Sequence, residues 1–240
     1  MSFFSEYNNY VSETKIIWQA YQEKYREGFS TDGVLNPSVY FMSGKLKVMF
    51  LLMENYNEGS WNIIDEIENK QKMYKDPNNG SRTWAANILR TLFYTRDNLW
   101  IDYIPNYDIQ GTGFAYLNPK KHDEGNYRTS YSDLSINANK DKNLLQRQII
   151  ACAPDIVFCS AAGNYKRLKE IMEIENDMIV NNETDKAHAH ILSYLADGKV
   201  KKMLAIQWFH PSHQTAGWST KSYKRYLDEL RPWFKAYSRI

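Results

Sequence analysis

The sequence predicts an α/β fold of three layers, with helices covering both faces of a central parallel sheet of four strands or slightly more. Three observations carry that expectation. Short apolar runs alternate with longer stretches of helical apolar spacing, the pattern left by crossover units. The runs are continuously apolar, as strands covered on both faces must be. The chain has 240 residues, 43% of them hydrophobic and 15% aromatic, enough for one sizeable core.

Taken in order, TKIIWQAYQEKYREGF (14–29) has helical spacing and belongs to an N-terminal helical segment, 1–44, of a single domain whose core is 45–240. KLKVMFLLM (45–53) reads as the first buried strand and RTWAANILRTLFY (82–94) as a helix. GFAYL (113–117) is a second strand, DKNLLQRQIIACA (141–153) a helix stopped by Pro154, and DIVFCS (155–160) a third strand. NYKRLKEIMEIE (164–175) is helical, 176–200 has no assignable pattern, KMLAIQWF (202–209) is the fourth strand, and STKSYKRYLDEL (219–230) the final helix. The polar stretches 74–81 and 122–140 are the expected flexible parts. Cys152 and Cys159 fall at a helix end and inside an apolar run and read as reduced core residues. No run approaches the roughly 18 apolar residues of a membrane span, and the N-terminus lacks a basic region followed by an apolar one, so the expectation is a cytoplasmic protein with no membrane partner.

The net charge is +2 and unevenly placed. From Lys199 onward nine cations (Lys199, Lys201, Lys202, Lys221, Lys224, Arg225, Arg231, Lys235 and Arg239) stand against Asp228 and Glu229. That asymmetry suits a phosphate backbone and also suits a solvated helix face.

Each expected strand runs directly into polar residues: ENYNEGS (54–60), NPKKH (118–122), SAAGN (160–164) and HPSHQ (210–214). In open α/β sheets the crevice beyond the carboxyl ends of the strands is where ligands bind. Singly, Asn55 and Asn118 serve as turn formers and Ser212 or Ser219 as a helix cap.

In this order the four segments resemble the uracil-DNA glycosylase superfamily over residues 45 to 230. HPSHQTAG is similar to that family's second motif at His210, Pro211 and Ser212, and LLMENYNEG occupies the place of the first, which puts Asn55 on the catalytic asparagine. AYLNPKK looks like the segment whose asparagine reads the uracil edge, which gives Asn118 that role. The helix-strand-helix of 144–168 and the segment SRTWAANIL also have counterparts there. Met53, Tyr56 and Asn57 stand where the first motif has Gly, Pro and Gly, and Gln214 where a leucine wedge is usual. Tyr56, Trp61 and Trp84 compete as the face on which the base stacks.

The resemblance implies a base-excision enzyme on DNA, single or double stranded, with no metal or redox cofactor. Its chemistry requires an extruded nucleotide. Asn118 can pair with a carbonyl and ring N–H, and His210 is placed to donate to the anion that develops on the departing base. Asn55 can orient water but has no useful basicity. Ser212 and Gln214, with Lys221, Lys224 and Arg225 at the start of the last helix, would hold phosphates. Two other readings remain: a non-catalytic nucleic-acid- or partner-binding module on the same fold, favoured by the altered first motif, and a metal hydrolase using His188, His190, His210 and His213. No carboxylate cluster or ligand spacing supports the last.

Overall fold

The computed structural model describes residues 3–26, 28–52, 83–100, 112–122, 131–160, 163–179, 189–208 and 220–237. In chain order the elements are α1 (Phe3–Tyr25), β1 (Gly33–Leu35), α2 (Pro37–Met42), β2 (Val48–Leu51), α3 (Thr83–Asp97), β3 (Phe114–Leu117) and α4 (Tyr131–Lys140). There follow α5 (Lys142–Cys152), β4 (Ile156–Ser160), α6 (Asn164–Met172), β5 (Asp177–Ile179), β6 (Ala189–Ala196), β7 (Lys199–Trp208) and α7 (Thr220–Tyr237).

Among the described residues the strands form one seven-stranded sheet in the order β1-β3-β2-β4-β7-β6-β5. Four consecutive strands, β3, β2, β4 and β7, are mutually parallel, and they are the four apolar runs legible in the sequence. The sheet as a whole is mixed, which corrects the expectation of a parallel one. β1 joins β3 antiparallel, and β6 lies antiparallel between β7 and β5. The reason for β6 is local. Asp197 and Gly198 both have positive φ, 51° and 70°, the geometry of the two-residue turn that can only join antiparallel neighbours.

Alternate residues divide the core into two layers. Val48 and Phe50 of β2 join Phe158, Ile206 and Trp208 under α3 and α7, while Met49 and Leu51 join Val157, Cys159 and Ala205 under α1, α2, α5 and α6. On the first face Phe50 packs on Phe158 and on Trp208, each with ring centroids 5.4 Å apart. α7 meets that face with Leu227, Leu230, Trp233 and Phe234, the spacing of one helical stripe. Cys152 and Cys159 are buried free thiols, held protonated by burial.

Other expectations need correction. The segment 1–44 is not wholly helical, because β1 lies within it, and its helix begins at Phe3 rather than 14. The stretch 122–140 contains α4, which buries Leu134, Asn137 and Ala138, and 176–200 contains two strands. The stretch 74–81 lies outside the described residues. Among the described residues no helix is long and apolar enough to cross a membrane.

Candidate functional site

The carboxyl ends of the parallel strands lie level. Leu51 is in register with Leu117 on one side and Cys159 on the other, and Ser160 with Trp208. Leu52 N–H donates to the Leu117 carbonyl at 2.9 Å, extending the pairing one residue beyond β2. The chain that leaves this edge carries Asn55 three residues after Leu52 and His210 two residues after Trp208.

Asn118 follows β3 at this edge, fully buried, and among the described residues neither its amide oxygen nor its amide nitrogen has a hydrogen-bond partner. A buried amide left without partners at both ends is a costly thing to fold, about 1–3 kcal/mol for each unsatisfied group. Its side chain offers one acceptor and two donors, the complement of a carbonyl beside an N–H.

The residue's main chain, by contrast, is firmly held. Asn118 N–H donates to Asp32 Oδ2 at 2.6 Å. Asp32 precedes β1 and also takes the Lys121 ammonium on both oxygens and Gln148 Nε2 at 2.7 Å. The side chains of Asp32 and Lys121 have no solvent exposure. Burial pushes the Lys121 ammonium below its ordinary pKa and the adjacent carboxylate opposes that shift. Lys121 Nζ also lies 5.6 Å from the Trp18 ring and 5.9 Å from Tyr21.

Between β2 and β4, Asn164 closes the edge. It begins α6 after Gly163, whose φ is 86°. Its amide donates to the Leu52 carbonyl at 2.6 Å and to the Ser160 carbonyl at 2.5 Å, and its oxygen accepts from Arg167 at 2.8 Å. Ser160 Oγ donates to the Leu51 carbonyl at 2.9 Å. The side-chain polar atoms of Asn164 and Ser160 are therefore used, whereas the amide of Asn118 has no partner among the described residues.

Asn55, Tyr56, Trp61, His210, Ser212 and Gln214 lie outside the described residues. Trp84 is in the first turn of α3 and Lys221 in the first turn of α7, with side chains outside the described part. Lys224 bonds to Asp228 at 2.9 Å and Arg225 lies 3.6 Å from Glu229, both pairs one turn apart on α7.

Of the histidines named above, His190 is described. Its Nδ1 lies 2.7 Å from Asp177 Oδ2 and its ring stacks on Tyr165 at 4.3 Å. Tyr165 also hydrogen-bonds Asp177, as does Lys169 at 2.8 Å. These bonds hold the Asp177 carboxyl at about 2, and burial with Asp177 pushes the Tyr165 phenol well up. His188 and His213 lie outside the described residues.

Sequence reasoning missed Asp32, Lys121, Gln148 and Asn164. Asn164 was visible as the polar end of SAAGN. Asp32 had only an Asp-Gly pair before a short apolar run, and nothing local marks Lys121 as buried. No protein-family model matches the chain, and comparison with curated proteins finds no match.

Proposed function

We propose that the chain is a DNA base-excision glycosylase that cleaves the N-glycosidic bond of uracil or another damaged base. The observation that carries this reading is Asn118, a fully buried amide at the carboxyl edge of the sheet with neither end partnered among the described residues. A lactam edge, with N–H and C=O side by side, would supply both missing partners. Hydrogen bonds of that kind discriminate strongly, because the wrong base leaves them unpaired.

In the reaction the extruded base pairs with Asn118 while Tyr56, Trp61 or Trp84 provides the stacking face. Asn55 orients a water toward the sugar carbon, and His210 donates to the base oxygen as the glycosidic electrons move onto the ring. Ser212 and Gln214, with Lys221, Lys224 and Arg225, hold the flanking phosphates. The products are the free base and an abasic site.

The test is a panel of oligonucleotides carrying uracil, hypoxanthine or xanthine, single and double stranded, assayed with the wild type, His210→Ala and Asn55→Asp. Excision that falls about a hundred-fold to a thousand-fold in His210→Ala, and that persists or rises in Asn55→Asp, supports the mechanism. No excision on any substrate by a folded protein that still binds DNA would leave the second reading, a non-catalytic binding module. That reading is favoured by Met53, Tyr56 and Asn57, which replace the residues of a tight turn.

A further inference from the structure

We infer that Asp32, held by Lys121, is a positioning residue that turns the Asn118 side chain out of the sheet ladder and fixes its aim. The inference rests on the glycosylase reading for its substrate but on separate geometry for its argument. The segment 29–35 runs antiparallel along 114–122, with Gly33 opposite Tyr116 and Phe29 opposite His122. Four steps of one segment thus face six of the other, so the β3 side carries two extra residues. Such a bulge bends a strand and re-aims a side chain. Asn118 and Pro119 lie inside it, and Pro119 has no N–H to give to the ladder.

Asp32 stands against this bulge. Its carboxylate takes the Asn118 N–H at 2.6 Å, a main-chain donor inside the bulge. Beyond the bulge the two segments meet again, where Ser30 N–H donates to the Lys121 carbonyl at 2.7 Å. Lys121 therefore anchors the far side of the bulge by its main chain and the carboxylate by its side chain. Gln148 Nε2, from α5, fixes Asp32 Oδ1 at 2.7 Å. A buried ion pair is a weak source of stability, since an apolar pair of similar volume often serves as well. What an apolar pair lacks is an acceptor for Asn118.

The experiment compares two neutral pairs. Asp32→Asn/Lys121→Met keeps an oxygen for the Asn118 N–H, whereas Asp32→Leu/Lys121→Met removes it. On a single-stranded oligonucleotide with one deoxyuridine, kcat/KM should fall at least about tenfold in the Leu/Met pair and recover in the Asn/Met pair. In an Asn118→Ala background the Leu/Met pair should cause no further loss, because a positioning residue acts through the group it positions. An additive loss in that background, or equal losses in both pairs, overturns the inference. A readout independent of turnover is the NMR signal of the Asn118 side-chain NH2. It should stay a sharp, resolved pair in the wild type and the Asn/Met variant and broaden in the Leu/Met variant. Should the Leu/Met variant not fold, Asp32→Ala/Lys121→Met is read in the same way. An unchanged NH2 signal without the acceptor overturns the inference even if the wild type proves inactive on deoxyuridine, and a broadened one upholds it while the glycosylase reading alone fails.

Discussion

Asn164 donates its side-chain amide to the Leu52 carbonyl at 2.6 Å, so the first residue of α6 fastens the point where the chain leaves β2. The same amide reaches Ser160, and its oxygen takes the Arg167 guanidinium. Asn164→Ala removes all of these, taking a donor from the Leu52 and Ser160 carbonyls and an acceptor from Arg167. The expected loss is about 2–4 kcal/mol, more than a single hydrogen bond, because each orphaned group keeps its desolvation penalty. Asn164→Asp should be no rescue, since a carboxylate sets an acceptor against carbonyls that need a donor. Urea unfolding midpoints of the two variants check this, and a loss below about 0.5 kcal/mol for Asn164→Ala would show that the clamp is dispensable.

The four parallel strands were legible because being covered on both faces forces a continuous apolar run, and β2 and β4 are apolar at almost every position. The antiparallel strands were not. β1 and β5 have three residues each, too few for any period to register. β6 alternates at its end, with Ser193 and Leu195 exposed between buried neighbours, and the Asp197-Gly198 pair that follows is a hairpin signal that the reading passed over. α4 hides behind polar residues, since Asn137 is among the side chains it buries. Asn118 could be named from the strand end it follows. Its support could not, because Asp32 lies 89 residues from Lys121 and 116 from Gln148, and no local pattern announces such partners.

The Asp177 cluster gives a pH dependence. Its carboxyl sits at about 2 against an ordinary 3.8, held down by Lys169 and then Tyr165. The folded state thus takes up the proton less readily than the unfolded chain. The stabilisation is fully present above the ordinary value and is lost as pH falls from about 4 to about 2. The carboxylate is partly solvated, so the contribution is screened to about 1 kcal/mol or less. Thermal melts across that range should show Asp177→Asn losing less stability on acidification than the wild type. Parallel curves would remove the cluster from the acid response.

Lys224 and Arg225 are paired with Asp228 and Glu229 along α7, and under the proposed function these pairs would not withhold them from DNA. Exposed pairs one turn apart are worth about 0.3–0.5 kcal/mol, little beside a phosphate contact that releases a counterion. Lys224→Ala/Arg225→Ala should therefore leave the melting temperature nearly unchanged while lowering the slope of log affinity against log salt by about 1 to 2. An unchanged slope would mark the pairs as a solvated helix face and place any DNA elsewhere.

Asn118 makes the sharpest prediction, because its two possible roles move stability in opposite directions. A turn-forming asparagine holds local structure with its side chain, and replacing it destabilises the fold. Among the described residues the Asn118 amide is buried with neither end partnered, and its place in the chain is secured through its main-chain N–H on Asp32. Asn118→Leu keeps the volume, keeps that N–H, and takes two unsatisfied polar atoms out of a buried site. The folded protein should gain about 1–3 kcal/mol, read as a higher urea midpoint with an unchanged m-value. Excision of uracil should fall in the same variant, and the preference for uracil over other bases should narrow, because the edge-reading amide is gone. A binding group that lowers the stability of the empty protein is the usual signature of a functional site. If Asn118→Leu loses stability instead, the amide has a structural partner in solution, and the base-reading role loses the observation on which it stands.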